Sequence, residues 1–335
     1  MANVAPVRIL AGDVGGTKTN LAVFECVTPG DRRVVREASF PSREFASLES
    51  VTAAFLAAGE RVDAAAFGIA GPVIDGAVAT TNLPWRITPS VLSLALGGAR
   101  VRLLNDLETT ALGAIALPQD RYRTLQAGVA RSGNVAVIAA GTGLGQAFLY
   151  WDGQRHLPAA TEGGHADFAP TTGDDVRLLQ FAQSLYGHVS WERLVSGPGL
   201  HLLFRFLTER GGRVIDPAVR DQLAGGVDPS AAIGAAGLDA SCDTCREAVD
   251  WFVRLYGTQA GNLALSVMAL GGVLIGGGIV GKLLPRIEVG GFMTAFTAKG
   301  RYQGLLEGIP VRAVLEPKAS LLGAADAAFG LLLPA

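Results

Sequence analysis

Residues 13–17 form a short turn whose residue types can bind phosphate. Asp13 precedes two glycines, Gly15 and Gly16, and the turn ends at Thr17. Backbone N–H groups of such a turn and a threonine hydroxyl can hold phosphate oxygens. A carboxylate at this place can hold Mg²⁺ through water, because Mg²⁺ favours a few carboxylates together with phosphates. The alternative is an ordinary Gly-Gly hairpin turn.

A second turn of the same kind contains Gly141, Thr142 and Gly143. With Gly145 it reads G-x-G-x-G, a spacing also found in dinucleotide-binding folds. That fingerprint requires a helix directly after the glycines. The residues that follow here, 146–151, are strand-like instead. The pattern therefore disfavours a nicotinamide site and favours a second phosphate-binding hairpin.

A third glycine cluster, Gly276–Gly278, follows an apolar run and precedes a predicted helix. Bare backbone at Gly277 and Gly278 would allow a flat adenine to lie close to the chain. A close crossing of a helix and a strand explains the same residues.

Two polar pairs could act on a hydroxyl-bearing substrate. Asn105 and Asp106 follow a predicted strand, and a carboxylate there can accept a hydroxyl proton during phosphoryl transfer. The alternative for Asp106 is a simple helix N-cap. Glu162 and His165 flank two glycines and can pair with vicinal sugar hydroxyls. A metal site or a structural histidine is the alternative for that pair.

The elements that must position these residues predict two α/β lobes. Residues 7–24 and 134–150 each read as an apolar run, a glycine-rich turn and another apolar run, which is typical of a β-hairpin. Their similarity suggests related lobes. Thr88 is predicted to cap a helix with its hydroxyl. Further strands are predicted at 33–39, 64–69, 101–104, 273–275 and 311–315, and helices near 48–55, at 107–117, 176–186, 199–209, 246–268, 279–284 and 319–333.

The last predicted helix would return to the first lobe. We therefore predict a small lobe of residues 1–112 plus 319–335 and a large lobe of residues 113–318.

Composition narrows the function classes. The chain has 335 residues and a net charge of −2, which argues against nucleic-acid partners and against an anionic membrane surface. Residues 255–281 carry no charge, but their glycines predict core helix, strand and loop rather than a membrane span. Cys26, Cys242 and Cys245 are too few for a disulfide scaffold. The pair Cys242/Cys245 lacks the further ligands of a zinc site, so incidental thiols in a reducing cytoplasm are expected.

The order of these motifs resembles bacterial glucokinases of the type without a zinc-binding cysteine cluster. The resemblance spans about residues 7–330 and is most specific at 104–107, 139–145, 161–170 and 186–200. It implies an α/β, ribonuclease-H-like (actin-like ATPase) fold of two lobes, with a hinged cleft that closes on sugar. It further implies ATP and Mg²⁺ as cofactors, glucose as substrate, and a cytoplasmic homodimer.

The resemblance also implies residue roles. Asp106 would deprotonate the 6-hydroxyl of the sugar, and Asp13 would hold Mg²⁺. The sugar-binding residues would be Asn82, Asn105, Asp106, Glu162, His165 and Glu192; the phosphates would contact Gly15, Gly16, Thr17, Gly141, Thr142 and Gly143; and the adenosine would face Gly277 and Gly278. Taken alone, Glu192 reads as a solvated helix residue.

One departure from the family pattern concerns Asn20, since many relatives carry arginine there. It leaves Lys18 as the nearby cation and affects nucleotide affinity and the choice of phosphoryl donor. The rival functions are a kinase for fructose or mannose, a sugar-binding regulator and an actin-like ATPase. The regulator would place a helix-turn-helix before the first strand, which is expected to start near Val7. The ATPase would lack the sugar-facing pairs.

Overall fold

The computed structural model describes residues 5–28, 30–80 and 83–333. The strands are β1 (Val7–Val14), β2 (Lys18–Cys26), β3 (Arg32–Pro41), β4 (Ala64–Ile69), β5 (Val73–Ile74), β6 (Ala77–Ala79), β7 (Arg86–Ile87), β8 (Arg100–Asn105), β9 (Tyr122–Gln126), β10 (Val135–Ala140), β11 (Leu144–Trp151), β12 (His156–Thr161), β13 (Gly272–Gly276) and β14 (Val311–Val314).

The helices are α1 (Leu48–Phe55), α2 (Pro89–Ala95), α3 (Asp106–Ile115), α4 (Gly173–Tyr186), α5 (Trp191–Leu194), α6 (Gly197–Glu209), α7 (Pro217–Ala224), α8 (Pro229–Leu238), α9 (Asp243–Ser266), α10 (Gly278–Val289), α11 (Gly291–Thr297), α12 (Gln303–Glu307) and α13 (Ala319–Gly330).

The chain divides into two compact units. The first unit comprises Met1–Arg121, Pro158–Ala160 and Glu316–Ala335, and the second comprises Tyr122–Leu157 and Thr161–Leu315. The sequence placed the boundaries after residues 112 and 318 instead. The difference arises because α3 packs along its whole length on α13. A Cβ at Gly113 would overlap the Ala319 carbonyl, and one at Gly323 would overlap the Thr109 carbonyl.

The first unit contains a five-stranded sheet in the order β3-β2-β1-β4-β8. Strands β1 and β2 form the predicted antiparallel hairpin, and β4 and β8 run parallel to β1. Alternation along β1 sends Leu10 to the face covered by α1 and α2, and Ile9 to the face covered by α13. Both faces of this sheet are therefore buried.

The second unit contains the strands β11, β10, β13, β14 and β9, which lie side by side in that order. Strands β10 and β11 form an antiparallel hairpin beside the parallel strands β13 and β14, which repeats the arrangement of β1, β2, β4 and β8 in the first unit. Its core lies mainly among α4, α6 and α9, where Leu203, Phe252 and Tyr256 are buried. The hairpins and the repeated pattern predicted from the sequence are confirmed, whereas β9 and β12 were not predicted.

One local prediction is wrong, and one helix cap was not predicted. The Thr88 hydroxyl does not cap α2; it lies 3.4 Å from the Ser90 hydroxyl. The Cys242 sulfur does cap α9, because it accepts a hydrogen bond from the Cys245 N–H at 3.2 Å. Both thiols are buried and free, and burial raises the pKa of Cys245.

Within the described residues, no helix is long and apolar enough to cross a membrane.

Candidate active site

Asp13 lies at the end of β1 and accepts hydrogen bonds on both carboxylate oxygens. Asn20 donates to Oδ2 at 3.2 Å, and Ser320 donates to Oδ1 at 2.9 Å. The Asn20 amide oxygen in turn accepts from the Ser39 hydroxyl at 2.7 Å. Both donors to Asp13 are neutral, so the negative charge of the carboxylate is not cancelled by them. Asn20 therefore orients Asp13.

The turn after Asp13 is held by a hydrogen bond within the turn and by hydrogen bonds from Ser42. Gly15 N–H donates to the Lys18 carbonyl at 3.0 Å. The buried Ser42 hydroxyl donates to the Gly15 carbonyl at 2.8 Å, and Ser42 N–H donates to the Thr17 carbonyl at 3.0 Å. The Gly15 and Thr17 carbonyls are thereby occupied by protein donors. Thr17 and Lys18 are exposed.

The β8–α3 junction fixes Asp106 at the first residue of a helix. The N-cap is Asn105, whose side-chain oxygen accepts from Leu107 N–H at 2.8 Å while Glu108 accepts from Asn105 N–H at 2.8 Å. The interpretation of Asp106 as the N-cap is therefore wrong, because its neighbour fills that position. Asn105 also donates to the Gly71 carbonyl at 3.1 Å and is 6% exposed.

Asn82, the remaining first-unit residue expected near the sugar, lies outside the described residues.

In the second unit the structure brings Glu192 against the turn at residues 141–143. Glu192 Oε2 accepts from Leu144 N–H at 3.0 Å. A Cβ at Gly143 would overlap that same oxygen, so a side chain there would displace the Glu192 carboxylate. The turn is also closed by Gly141 N–H donating to the Gly143 carbonyl at 2.9 Å. Glu192 therefore has a structural contact that its place on a short helix did not reveal.

His165 and Glu192 are neighbours in the second unit. His165 Nδ1 lies 3.8 Å from Glu192 Oε1, and their side chains are 61% and 32% exposed. Glu162 is exposed at the start of the same loop. Three sequence-predicted residues thus present carboxylate and imidazole groups from one region of this unit, which suits hydroxyl recognition.

The third glycine cluster packs against the end of β10. Gly277 has a φ of 90°, and a Cβ there would overlap the Ala140 carbonyl. The buried Tyr256 hydroxyl bonds the Ile138 carbonyl at 3.0 Å and the Gly276 carbonyl at 3.3 Å, and burial raises its pKa. Tyr256 therefore ties together the two strands from which the second and third glycine turns depart.

Two residues at the site were missed by the sequence reasoning. Ser320 follows the predicted start of the last helix, where a serine reads as a cap residue. Gln146 is 3% exposed, and its Nε2 has no partner among the described residues. A Cβ at Gly163 would lie 2.6 Å from Gln146 Oε1, which places this glutamine beneath the Glu162–His165 loop. Neither contact leaves a signal in the local sequence.

The donor set fits Mg²⁺ better than a metal held by several side chains. Within the described part of the chain, no group of three or more His, Cys, Asp or Glu residues could hold a metal ion. Mg²⁺ is commonly bound through one or two carboxylates, water and substrate phosphates. Asp13 retains unused lone pairs on both oxygens beside its two hydrogen bonds, which suits water-mediated contact.

Comparison with known proteins places this chain among sugar kinases. A family model described as Glucokinase matches residues 10–330. The glucokinase of Trichormus variabilis is 38% identical over 333 residues, covering 95% of this chain and 97% of that protein. The glucokinase of Synechocystis sp. is 38% identical over 344 residues, covering 95% and 97%.

Solved structures show the same fold. The glucokinase from an Antarctic psychrotroph has a TM-score of 0.83 at 29% identity, over 96% of this chain and 99% of that one. The glucokinase from Balamuthia mandrillaris, solved in complex with glucose, has a TM-score of 0.77 at 21% identity, over 98% and 96%. The predicted ribonuclease-H-like, actin-like ATPase fold is confirmed.

Proposed function

This chain belongs to the glucokinase family of ATP-dependent hexose kinases, and we propose that it transfers the γ-phosphoryl group of ATP to the 6-hydroxyl of glucose. The observation that carries this proposal is the family match over residues 10–330, which contains every proposed site residue. The products are glucose 6-phosphate and ADP.

Asp106 is the proposed catalytic base. It would align the 6-hydroxyl and take its proton as the new P–O bond forms. Its support is the Asn105–Glu108 capping box, which holds the junction in one conformation. Asn105 and Asn82 complete the first unit's contribution to sugar binding.

The second unit supplies the other proposed sugar contacts. Glu162, His165 and Glu192 would pair with ring hydroxyls through charged acceptors and an imidazole. Glu192 is held by Leu144 N–H at 3.0 Å, so its orientation is set before sugar binds. Pre-set acceptors lower the ordering cost of recognition.

The three glycine turns are the proposed nucleotide contacts. Gly15, Gly16 and Thr17, with Gly141, Thr142 and Gly143, would contact phosphate oxygens, while Gly277 and Gly278 would lie against adenosine. Asp13 would hold Mg²⁺ through water, and that ion supplies charge neutralisation of the β- and γ-phosphates when bound.

We further propose a homodimer in the cytoplasm, as the family resemblance implies. Light scattering during size-exclusion chromatography of the purified chain measures the mass directly, and a monomer mass at micromolar concentration would contradict the dimer.

The decisive variant for the proposed chemistry is Asp106→Asn. It keeps a polar group of the same shape but removes the base, so kcat should fall about 100-fold or more while glucose affinity changes little. A coupled assay with glucose and ATP gives kcat, and calorimetric titration with glucose gives Kd. The control is Asp120→Asn, because the Asp120 side chain is 77% exposed and has no proposed role.

An Asp106→Asn variant with near-normal kcat would exclude the assigned role. The same assay with fructose and mannose decides the sugar specificity. If the wild-type chain hydrolyses ATP but calorimetric titration with glucose shows no heat of binding, the chain would instead be an ATPase of the same fold.

A further inference from the structure

A chain of side-chain hydrogen bonds joins Asp13 to the helix that begins at Asp106. Ser320 on α13 donates to Asp13 Oδ1 at 2.9 Å, and its hydroxyl lies 2.9 Å from the Thr109 hydroxyl. Thr109 in turn lies 2.9 Å from the Asp106 carbonyl. All four residues belong to the first unit.

The direction of these bonds follows from the acceptors. An ionised carboxylate only accepts, so the single Ser320 hydroxyl proton points at Asp13. The Thr109 proton is then shared between the Ser320 oxygen and the Asp106 carbonyl. Thr109 is fully buried, which strengthens such bonds and makes an unmade one costly.

We propose that Ser320 is a positioning residue that fixes the Asp13 carboxylate for Mg²⁺-bound nucleotide, with Thr109 fixing Ser320 in turn. This inference rests on the proposed function, since it takes Asp13 as the carboxylate that faces the ion. It assigns to Ser320 and Thr109 a role that their positions in the sequence do not suggest.

The arrangement suits that role in three ways. Asn20 holds one carboxylate oxygen and Ser320 the other, so rotation of the Asp13 side chain is blocked from both sides. Both donors are neutral, which leaves the full charge for the ion. Gly68 makes the approach possible, because a Cβ there would overlap the Thr109 hydroxyl and lie 3.1 Å from Ser320 Oγ.

The far end of the chain of hydrogen bonds is the backbone carbonyl of Asp106, not its carboxylate. Thr109 is in the first turn of α3, three residues after Asp106, and bonds its carbonyl. A change at Ser320 should therefore affect Asp13 most and leave the capped junction at Asn105 intact. Glucose binding should be unchanged, whereas Mg²⁺-dependent nucleotide binding should weaken.

The test measures ADP binding by calorimetry with Mg²⁺ and again with EDTA. The Kd in EDTA divided by the Kd with Mg²⁺ isolates the contribution of the ion to ADP binding. In Ser320→Ala and Thr109→Val this ratio should fall about 5-fold, as expected for loss of one ordinary hydrogen bond of the chain. ADP binding in EDTA should stay near the wild-type value.

Two matched variants separate positioning from general disturbance. Thr109→Ser retains the hydroxyl and should keep the wild-type ratio. Thr110→Val removes a neighbouring hydroxyl that bonds the same Asp106 carbonyl at 2.8 Å but lies outside the chain to Asp13. It should leave the ratio unchanged. The Thr109→Ser and Thr109→Val pair decides the matter even if Ser320→Ala proves unstable.

Asp13→Asn is the reference that distinguishes two failures. If Asp13→Asn lowers the Mg²⁺-dependent ratio while Ser320→Ala and Thr109→Val do not, the positioning role is overturned and the proposed function stands. If Asp13→Asn itself leaves the ratio intact, Asp13 does not face the ion, and that part of the proposed function fails.

Discussion

Glu192 illustrates how a single residue acquires its place only through a distant backbone group. Its carboxylate accepts from Leu144 N–H, 48 residues away along the chain, and lies beside His165. The contact is possible because Gly143 has no side chain to occupy the space. The turn at residues 141–143, a proposed phosphate contact, and the proposed sugar contact at His165 therefore both lie against one carboxylate.

Gly143→Ala tests this arrangement. The added methyl group would overlap Glu192 Oε2, so the carboxylate must move and its bond to Leu144 N–H is lost. A hydrogen bond to a charged group contributes about 1.5–3 kcal/mol. We expect the glucose Kd, measured by calorimetry, to rise about 10-fold or more.

The control for that variant is Gly173→Ala in the same unit. Gly173 is the first residue of α4, and a Cβ there meets no atom within 4 Å. It should bind glucose as the wild type does. Unchanged glucose affinity in Gly143→Ala would show that Glu192 does not depend on this turn.

At the scale of an element, the start of α10 is set by one backbone conformation. Gly277 is the N-cap, with φ of 90° and ψ of 162°, a region that other residues avoid. Its Cα also lies directly against the end of β10, where Tyr256 bonds both neighbouring strands. The proposed adenosine contact is therefore built on a junction that requires glycine.

Gly277→Ala should destabilise the fold and weaken nucleotide binding. The backbone penalty alone is about 1–3 kcal/mol, and the overlap with the Ala140 carbonyl adds to it. Denaturant unfolding measures the free energy of unfolding, and the KM for ATP reports the nucleotide contact.

The comparison variant is Gly281→Ala, one turn further along α10. A Cβ at Gly281 meets no atom within 4 Å, and alanine favours a helix interior. It should be neutral or slightly stabilising. If both variants unfolded at the same denaturant concentration, the backbone conformation of Gly277 would make no measurable contribution to the free energy of unfolding.

At the scale of the whole molecule, each unit has a sheet in which an antiparallel hairpin lies beside two parallel strands. The second unit is further tied together by a buried ion pair between α4 and α9. Asp175 is fully buried and accepts from Arg254, from the Trp251 ring N–H at 2.9 Å and from Thr172 N–H at 3.1 Å. Burial alone would raise the pKa of Asp175, but these donors hold it at about 2.

The global stability should therefore depend on pH through Asp175. Its pKa is depressed on folding from an ordinary 3.8 to about 2. The corresponding stabilisation, about 2 kcal/mol, is present above pH 4 and is lost as the pH falls towards 2. Asp175→Asn leaves Arg254 without its carboxylate partner and should cost about 3–5 kcal/mol at pH 7, measured by denaturant unfolding.

The adjacent Asp174 supplies the matched control. It pairs with Arg177 on the surface, where its side chain is 61% exposed. Asp174→Asn should change the free energy of unfolding by less than about 0.5 kcal/mol. The difference between wild type and Asp175→Asn should also shrink below pH 4. A constant difference from pH 7 to pH 3 would contradict the assigned pKa.

Local patterns in the sequence determined most elements of this protein. Apolar alternation and glycine turns predicted both hairpins, and the strand at residues 64–69 was predicted with its observed bounds. The order of motifs identified the family, because glycine turns and polar pairs are short and contiguous. Such features depend on residues close in the chain, which a sequence displays directly.

Only the tertiary structure decided how the site residues are held. The bond from Ser320 to Asp13 joins residues 307 positions apart, and no periodicity or spacing reports such a pair. The unit boundary after Arg121 likewise depended on packing, whereas the cap at Asn105 is a local contact among Asn105, Leu107 and Glu108. Long-range contacts arise from how elements pack, whereas sequence patterns record mainly what each element needs for itself.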